Sequence, residues 1–268
     1  MIAACAACAA CGRVSFDARP DAGPDAAATT PWGPATPVLP AAGEGNPSLT
    51  SDLLVMYFSD AGGTKVVTRP SVSSPWTAPV NDAVLNPANT PEITSDGLTI
   101  FVSRGVPYDI WTSARPTRMA AWSPPVKVLE LSSPQVEGAA TPTDDLRSIV
   151  LGSDRSGESE IYASARGTTA APWDTPIPIS EVNSTSTDCD PILSADHLTL
   201  YFRSDRSGNA ELYTATRASV GSPFDAPAPI SELDTPGFES DPWVSPDGHH
   251  IFFASDRSGT LGLWEASR

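Results

Sequence analysis

A chain of 268 residues with a formal charge of −16 is a poor partner for polyanions, because nucleic acid and anionic membrane surfaces both call for clustered Lys and Arg. Forty per cent hydrophobic content suffices for a real core, and 28 prolines with 19 glycines imply many turns. No stretch holds an apolar period near 3.6 for long, so an all-β protein with almost no helix is expected.

Met1 to Ala10 is small, apolar and too short to span a bilayer. It reads as the tail of an export signal whose start codon is assigned too late. The run resembles a bacterial lipoprotein signal, in which a Cys after small residues is lipidated. Ile2-Ala3-Ala4-Cys5 matches that box in residue type but sits close to Met1. Cys11, followed by Gly12, is better placed and is the lipidation candidate, although Cys8 stands where Leu or Val is usual. The alternative is an Ala-rich disordered start on a cytoplasmic protein. Export is preferred, to the periplasm or to the outer-membrane or cell surface, because such a run has no folding purpose.

Residues 1–12 are thus the signal-like segment and 13–31 a disordered tether. Residues 17–31 (DARPDAGPDAAATTP) hold almost no large apolar side chain to offset the cost of ordering. Cys5, Cys8 and Cys11 have C-x-x-C spacing but no nearby His, so no metal site is assigned. Cys189 is expected to be a small, partly buried apolar residue.

From Trp32 to Arg268 three registers repeat. Trp32, Trp76, Trp122, Trp173 and Phe224 are each followed by Pro and a β-former. Ser153-Asp154-Arg155-Ser156-Gly157 recurs at Ser204 to Gly208 and Ser255 to Gly259, with worn copies at Ser59-Asp60-Ala61-Gly62 and Ser103-Arg104-Gly105. Arg69, Arg115, Arg166, Arg217 and Arg268 each end a short strand. The leading serines are 44, 50, 51 and 51 residues apart, a period that signals stacked or radially arranged units.

Each unit reads as four strands. In the last, 239–245 precedes a Ser245-Pro246-Asp247-Gly248 turn, 249–254 precedes the Ser-Asp turn, and 261–267 follows it. The preceding unit gives 188–194, 198–203, 211–216 and an aromatic-proline strand from Phe224 to Ile230. Leu198, Leu200, Tyr201, Phe202 and Ile251, Phe252, Phe253 make the second strand apolar on both faces, as in sheets covered on both sides. An aromatic-proline strand opens the array at Trp32 and none follows Arg268. A ring resolves both: the strand at 32–39 pairs with 261–267 and removes an exposed edge. The expectation is a five-bladed β-propeller over 32–268, with four antiparallel strands per blade.

The pattern D-P-x-x-S-P-D-G, apolar strand, S-D-R-S-G, then L-Y or L-W resembles the TolB-type (WD-repeat-like) β-propeller repeat. Residues 241–264 match closely, 190–213 well and 140–162 partly, and the resemblance covers about residues 46–268. It implies a fold; such propellers serve as binding platforms, assembly parts or appendages of peptidases.

The Asp of the Ser-Asp phrase is expected to accept backbone N–H bonds in its turn, and its Arg to pair with an Asp of the neighbouring blade. A Ca²⁺ or sugar-binding loop is the functional alternative. One Asp per turn falls short of the 6–8 oxygens calcium takes, so no cofactor is assigned and Ca²⁺ stays the one metal to test. The aromatic-proline residues are expected to pack against the next blade. His197, His249 and His250 carry no metal or triad spacing.

The strand starts differ between blades. Asp188 and Asp190, Glu239 and Asp241, and Glu137 with Ala139 beside it contrast with Ala88 and Thr90. These five acids, Glu137, Asp188, Asp190, Glu239 and Asp241, are the candidate ligand site at one channel mouth. The competing reading is that they cap local N–H groups and hold the blades together. As a site they would draw a metal ion, an ammonium group or a basic peptide.

Three functions are open. The first is a non-enzymatic binding head of the bacterial cell envelope that recognises a protein or glycan and is a monomer touching membrane only through a lipid anchor. The second is a glycoside hydrolase-like propeller using Glu239 with Asp188 or Asp190. The third is a purely structural module. Short loops argue against the enzyme, and no carboxylate departing from the repeat is found in the channel.

Overall fold

The structure, a computed structural model, describes residues 30–40 and 42–268. The signal-like segment, the lipidation candidate Cys11 and all but the last two residues of the tether lie outside the described residues.

The chain begins with β1 (Thr36–Pro37). Blade one follows as β2 (Gly45–Leu49), β3 (Val55–Asp60), β4 (Gly63–Thr68) and β5 (Val80–Asn81). Blade two is β6 (Asn89–Ile93), β7 (Thr99–Arg104), β8 (Asp109–Ala114) and β9 (Val126–Lys127). Blade three is β10 (Glu137–Pro142), β11 (Ser148–Ser153), β12 (Glu160–Ala165) and β13 (Ile177–Pro178). Blade four is β14 (Asp188–Leu193), β15 (Thr199–Ser204), β16 (Glu211–Thr216) and β17 (Ala228–Pro229). Blade five takes β18 (Glu239–Val244), β19 (His250–Ser255) and β20 (Gly262–Ser267). Its fourth strand is β1, so the sheet order is β1-β20-β19-β18. All five sheets are antiparallel and no helix occurs among the described residues.

Closure follows the expected route over a shorter ladder. Only Thr36 and Pro37 pair formally, with Glu265 and Trp264. Pro34, Pro37 and Pro40 lack the donors that a longer strand needs. Gly33 N–H to Ser267 O (2.8 Å), Val38 N–H to Leu263 O (2.8 Å) and Gly43 N–H to Leu261 O (2.9 Å) extend the contact. The other outer strands are likewise two residues long. The second strands are buried on both faces, with Phe58, Phe202, Phe252 and Phe253 among the largest fully buried side chains.

The aromatic and arginine registers are one device. Arg69, Arg115, Arg166, Arg217 and Arg268 lie 4.2, 4.1, 4.1, 4.6 and 4.1 Å from the ring centroids of Trp76, Trp122, Trp173, Phe224 and Trp32. Each guanidinium Nε also donates to a carbonyl of the turn after the inner strand: Leu53, Gly97, Leu146, His197 or Gly248. Those five residues all have positive φ, between 57° and 74°. In the same turns Asp52, Asp96, Asp145, Asp196 and Asp247 each accept a hydroxyl two residues back and a backbone N–H two residues on. The aromatics pack on the preceding blade rather than the next one. Trp122 meets Tyr57 edge-on at 6.0 Å, and Trp173 meets Phe101 at 6.5 Å.

The Ser-Asp turns also work differently from expectation. It is the leading serine that accepts the backbone N–H two residues on, from Arg155, Arg206 and Arg257 (3.2, 3.2 and 3.1 Å). Blade one alone uses its Asp this way: Gly62 N–H donates to Asp60. The arginines pair within their own blade: Arg155 with Glu137 (3.4 Å), Arg206 with Asp188 (2.6 Å) and Arg257 with Glu239 (3.4 Å).

Candidate functional site

Inner strands β2, β6, β10, β14 and β18 adjoin one another around the ring and wall the axial channel. Each carries one β-bulge at the same level, between Gly45 and Ser48, Asn89 and Glu92, Gly138 and Thr141, Cys189 and Ile192, and Ser240 and Trp243. The first bulged residue has positive φ in every blade: Asn46, Thr90, Ala139, Asp190 and Asp241, at 43–54°. Asn and Asp tolerate this conformation; a β-branched Thr does not readily do so. In four blades the next residue is Pro47, Pro91, Pro191 or Pro242. A bulge leaves one residue out of the ladder, so the missing proline donor costs nothing there.

The bulged residues are joined from blade to blade. Asn46 donates to Asp241 through its side chain (2.7 Å) and its backbone N–H (3.1 Å). Thr90 N–H donates to Ser59 Oγ of blade one (3.1 Å), and Ala139 N–H to Thr90 Oγ1 (3.3 Å). Cys189 Sγ lies 3.3 Å from Asp190, and Arg203 reaches behind it to Asp205.

The five acids expected at the mouth divide into two groups. Glu137, Asp188 and Glu239 have no exposed surface. Besides their arginines, they accept the backbone N–H four residues upstream, from Ser133 (2.9 Å), Ser184 (2.6 Å) and Thr235 (3.3 Å). They hold the loop ahead of the inner strand to the Ser-Asp turn. Asp190 and Asp241 are half-buried at the bulges and face the channel. A third carboxylate joins them from blade two, Glu92, which the sequence reading missed. Among the equivalent positions Ser48, Glu92, Thr141, Ile192 and Trp243 it is the single acid, so lining up the inner strands on their prolines would have exposed it.

The environment shifts these groups. Burial, then the neighbouring Asp190, holds the Asp241 carboxyl well above the usual carboxylate range. Burial raises Glu92 similarly, with Asp241 and Asp190 adding to the effect and Ser48 and Thr141 opposing it. Burial also pushes the Cys189 thiol up, the opposite of a reactive thiolate site. Above Glu92 toward the Ser-Pro-Asp-Gly turns lies a cavity of about 70 Å³ lined by Thr94, Thr141, Thr143, Ser194 and Trp243 among others. That is room for a few waters or the end of one side chain.

A second departure from the repeat lies on the face bearing the Ser-Asp turns. Blades three to five present polar tips there, whereas blade two presents Val106-Pro107-Tyr108. Val106 is fully exposed and Tyr108 is 41% exposed, and Leu129 and Val136 are exposed as well. All nine large hydrophobic residues exposed among the described residues fall between Val72 and Val136.

No family model matches the sequence, and no curated protein matches it. Solved structures do. A protein assigned as TolB from Agrobacterium tumefaciens is 16% identical, with TM-score 0.53, over 82% of this chain and 76% of that one. TolB from Acinetobacter baumannii is 16% identical, with TM-score 0.54, over 84% of this chain and 54% of that one. An α-L-arabinofuranosidase from Podospora anserina in complex with cellotriose is 12% identical, with TM-score 0.59, over 87% and 94%. At these identities the likeness is one of fold alone, and the fold shared is the β-propeller.

Proposed function

We propose that the protein is a non-enzymatic binding head of the bacterial cell envelope, exported, anchored through a lipid on Cys11 and monomeric. It takes a protein or glycan partner at the channel mouth through a cationic group. The observation that supports this best is the cavity above Glu92. Its volume of about 70 Å³ is well below the roughly 300–1,000 Å³ of ordinary small-molecule pockets. Space of that size suits the end of a lysine side chain better than a whole sugar ring. Hydroxyls of Thr141 and Thr143 on the walls and the Trp243 ring can receive an ammonium group, whose arrival would draw the proton from the buried Glu92 at the floor. The buried, arginine-paired state of Glu239 and Asp188 argues against their use as a catalytic pair.

The exposed Val106 and Tyr108 lie on the opposite face, that of the Ser-Asp turns, and would serve a separate protein contact. The test is calorimetry of the full chain with Nα-acetyl-lysine amide and its norleucine analogue, alongside a glycan array and a chromogenic glycoside screen. Lysine-selective binding that is lost in Glu92→Gln is expected. Equal binding of the norleucine analogue, or hydrolysis of any glycoside, would contradict the proposal.

A further inference from the structure

Four blades open the turn between their second and third strands with Ser-Asp, and three of the four aspartates are engaged. Asp60 accepts Gly62 N–H (2.7 Å) and pairs with Lys65 (3.2 Å). Asp205 pairs with Arg203 (2.9 Å), and Asp256 accepts Phe238 N–H (2.8 Å). The fourth carboxylate, Asp154 of blade three, makes no hydrogen bond or ion pair among the described residues. Its neighbour Arg155 does not neutralise it, because that guanidinium is taken by Ser153 Oγ (2.8 Å), Leu131 O (2.8 Å) and Glu137 (3.4 Å).

This carboxylate borders the apolar tip of blade two. Two backbone bonds lace the segments together: Glu137 N–H donates to Tyr108 O (3.0 Å), and Asp154 N–H donates to Val136 O (2.9 Å). An open groove of about 530 Å³ runs here, lined by Pro107, Gln135, Val136 and the turn from Asp154 to Gly157. Val106, fully exposed, and Val136, 38% exposed, stand on its apolar side. Blades three, four and five place Gly157, Gly208 and Gly259 where blade two has Val106. Arg104, the cation of the blade-two tip, turns away toward Pro87 O (3.3 Å) and the Trp111 ring.

We propose that this groove docks an extended segment of a partner protein that carries an apolar side chain and, two residues away, an arginine or lysine. In extended backbone, residues i and i+2 point the same way. One side chain covers Val106 and Val136 while the other reaches Asp154. The wider charge distribution orients the pair: residues 137–268 hold 21 acids against 8 Lys and Arg, and residues 42–136 hold 8 against 6. A cation is therefore drawn to the blade-three side of the groove, and the apolar side chain is left over blade two. A wholly apolar segment would cover Asp154 without a counter-ion, which is costly, and a wholly basic one would leave Val106 and Val136 in water. The groove lies on the face opposite the Glu92 cavity and does not depend on it.

Two substitutions separate docking from folding. Asp154→Asn removes a charge that bonds nothing within the protein, and Val106→Ser changes a fully exposed side chain. Both variants are expected to melt with the wild type.

The experiment follows backbone amide NMR shifts of the full chain during titration with two N-acetylated peptide amides, Ser-Leu-Ser-Arg-Ser and Ser-Arg-Ser-Leu-Ser. Saturable shifts from at least one of them are expected at the amides of Val106, Tyr108 and Val136 and along the Asp154–Gly157 turn. Shifts at Thr94, Thr141 and Thr143 report the channel cavity and are scored apart. Citrulline in place of arginine is expected to weaken groove binding about threefold or more, and serine in place of leucine about fivefold or more. Asp154→Asn should erase the preference for arginine over citrulline, and Val106→Ser should weaken both peptides. No saturable groove shift up to about 5 mM peptide, equal binding of the citrulline peptide, or an arginine preference that survives Asp154→Asn would each overturn the proposal. Sedimentation of the wild type, alone and with phosphatidylethanolamine vesicles, covers the other occupants. Self-association or vesicle binding that Val106→Ser abolishes would assign the groove to a second copy or to lipid and overturn the partner segment.

Discussion

The guanidinium of Arg268 lies 4.1 Å from the centre of the Trp32 ring. The same side chain donates to Gly248 O (2.8 Å) and to Tyr201 OH in blade four (3.2 Å). The two ends of the folded chain thus make the same stack that Arg69, Arg115, Arg166 and Arg217 make inside continuous blades. Trp32 is 7% exposed, so Trp32→Ala is expected to cost about 3 kcal/mol. Arg268→Ala loses a stack and two hydrogen bonds from a charged group, about 2–3 kcal/mol. Urea unfolding of both variants beside Arg166→Ala checks whether the closing stack is equivalent to an internal one.

The three buried acids are expected to behave as structural members. Glu137→Ala, Asp188→Ala and Glu239→Ala each strand an arginine and a backbone N–H. Losses of about 2–4 kcal/mol apiece are expected. The three sites lie in separate blades and share no partner, so a double variant should show the sum. Chemical denaturation gives both values, and losses under about 0.5 kcal/mol would show these carboxylates to be dispensable for the fold.

Asp234 titrates in an accessible range. Burial, with Glu211, Glu239 and Glu232 nearby, raises it to about 6. A raised acid favours the folded state at low pH, and that contribution fades as pH climbs from about 4 through about 6. Asp234 is half-buried and keeps part of its surface in solvent, so screening makes the effect modest. Asp234→Asn should flatten the melting-temperature profile over that window and leave the profile above pH 7 parallel to wild type.

Val106→Ser should leave stability within about 0.5 kcal/mol of wild type, because the side chain is fully exposed. Tyr108 hydrogen-bonds Asn89 at 2.8 Å, so Tyr108→Phe is the matched control. Pull-down from cell-envelope extract should lose partners with Val106→Ser if the blade-two tip is a contact surface, while the melting curve stays put.

The ring was legible in the sequence because its cause is a count. Five arginines, five aromatics and a one-strand phase offset admit closure and little else. The partnership between two of those registers was not legible. Nothing in the spacing of Arg69 and Trp76 says that one stacks on the other until the third and fourth strands are placed side by side. The bulges were hidden too: Pro242 reads as a tolerable start-of-strand proline, whereas it occupies the unpaired residue of a bulge that aims Asp241 across to Asn46. Glu92 was missed for the same reason. Reading acids at strand starts selected Glu137, Asp188 and Glu239, which lie two residues before the bulge and turn into the blade, and Asp190 and Asp241 at the bulge, but not Glu92 two residues beyond it. The serine of the Ser-Asp phrase outranks its aspartate because a hydroxyl can accept the turn's N–H and donate to the buried acid at once, as Ser153 does to Glu137 (3.1 Å) and Ser255 to Glu239 (2.8 Å).

The closure of the ring by the N-terminal outer strand is tested most directly by thermal melting of two truncations. Removing residues 1–31 keeps Trp32, β1 and the stack on Arg268, and melting close to that of the full chain is expected. Removing residues 1–40 strips the fourth strand from blade five and exposes the surface under Trp32 and Leu39, and a fall of well over about 10 °C is expected. Equal melting temperatures for the two truncations would contradict the closure.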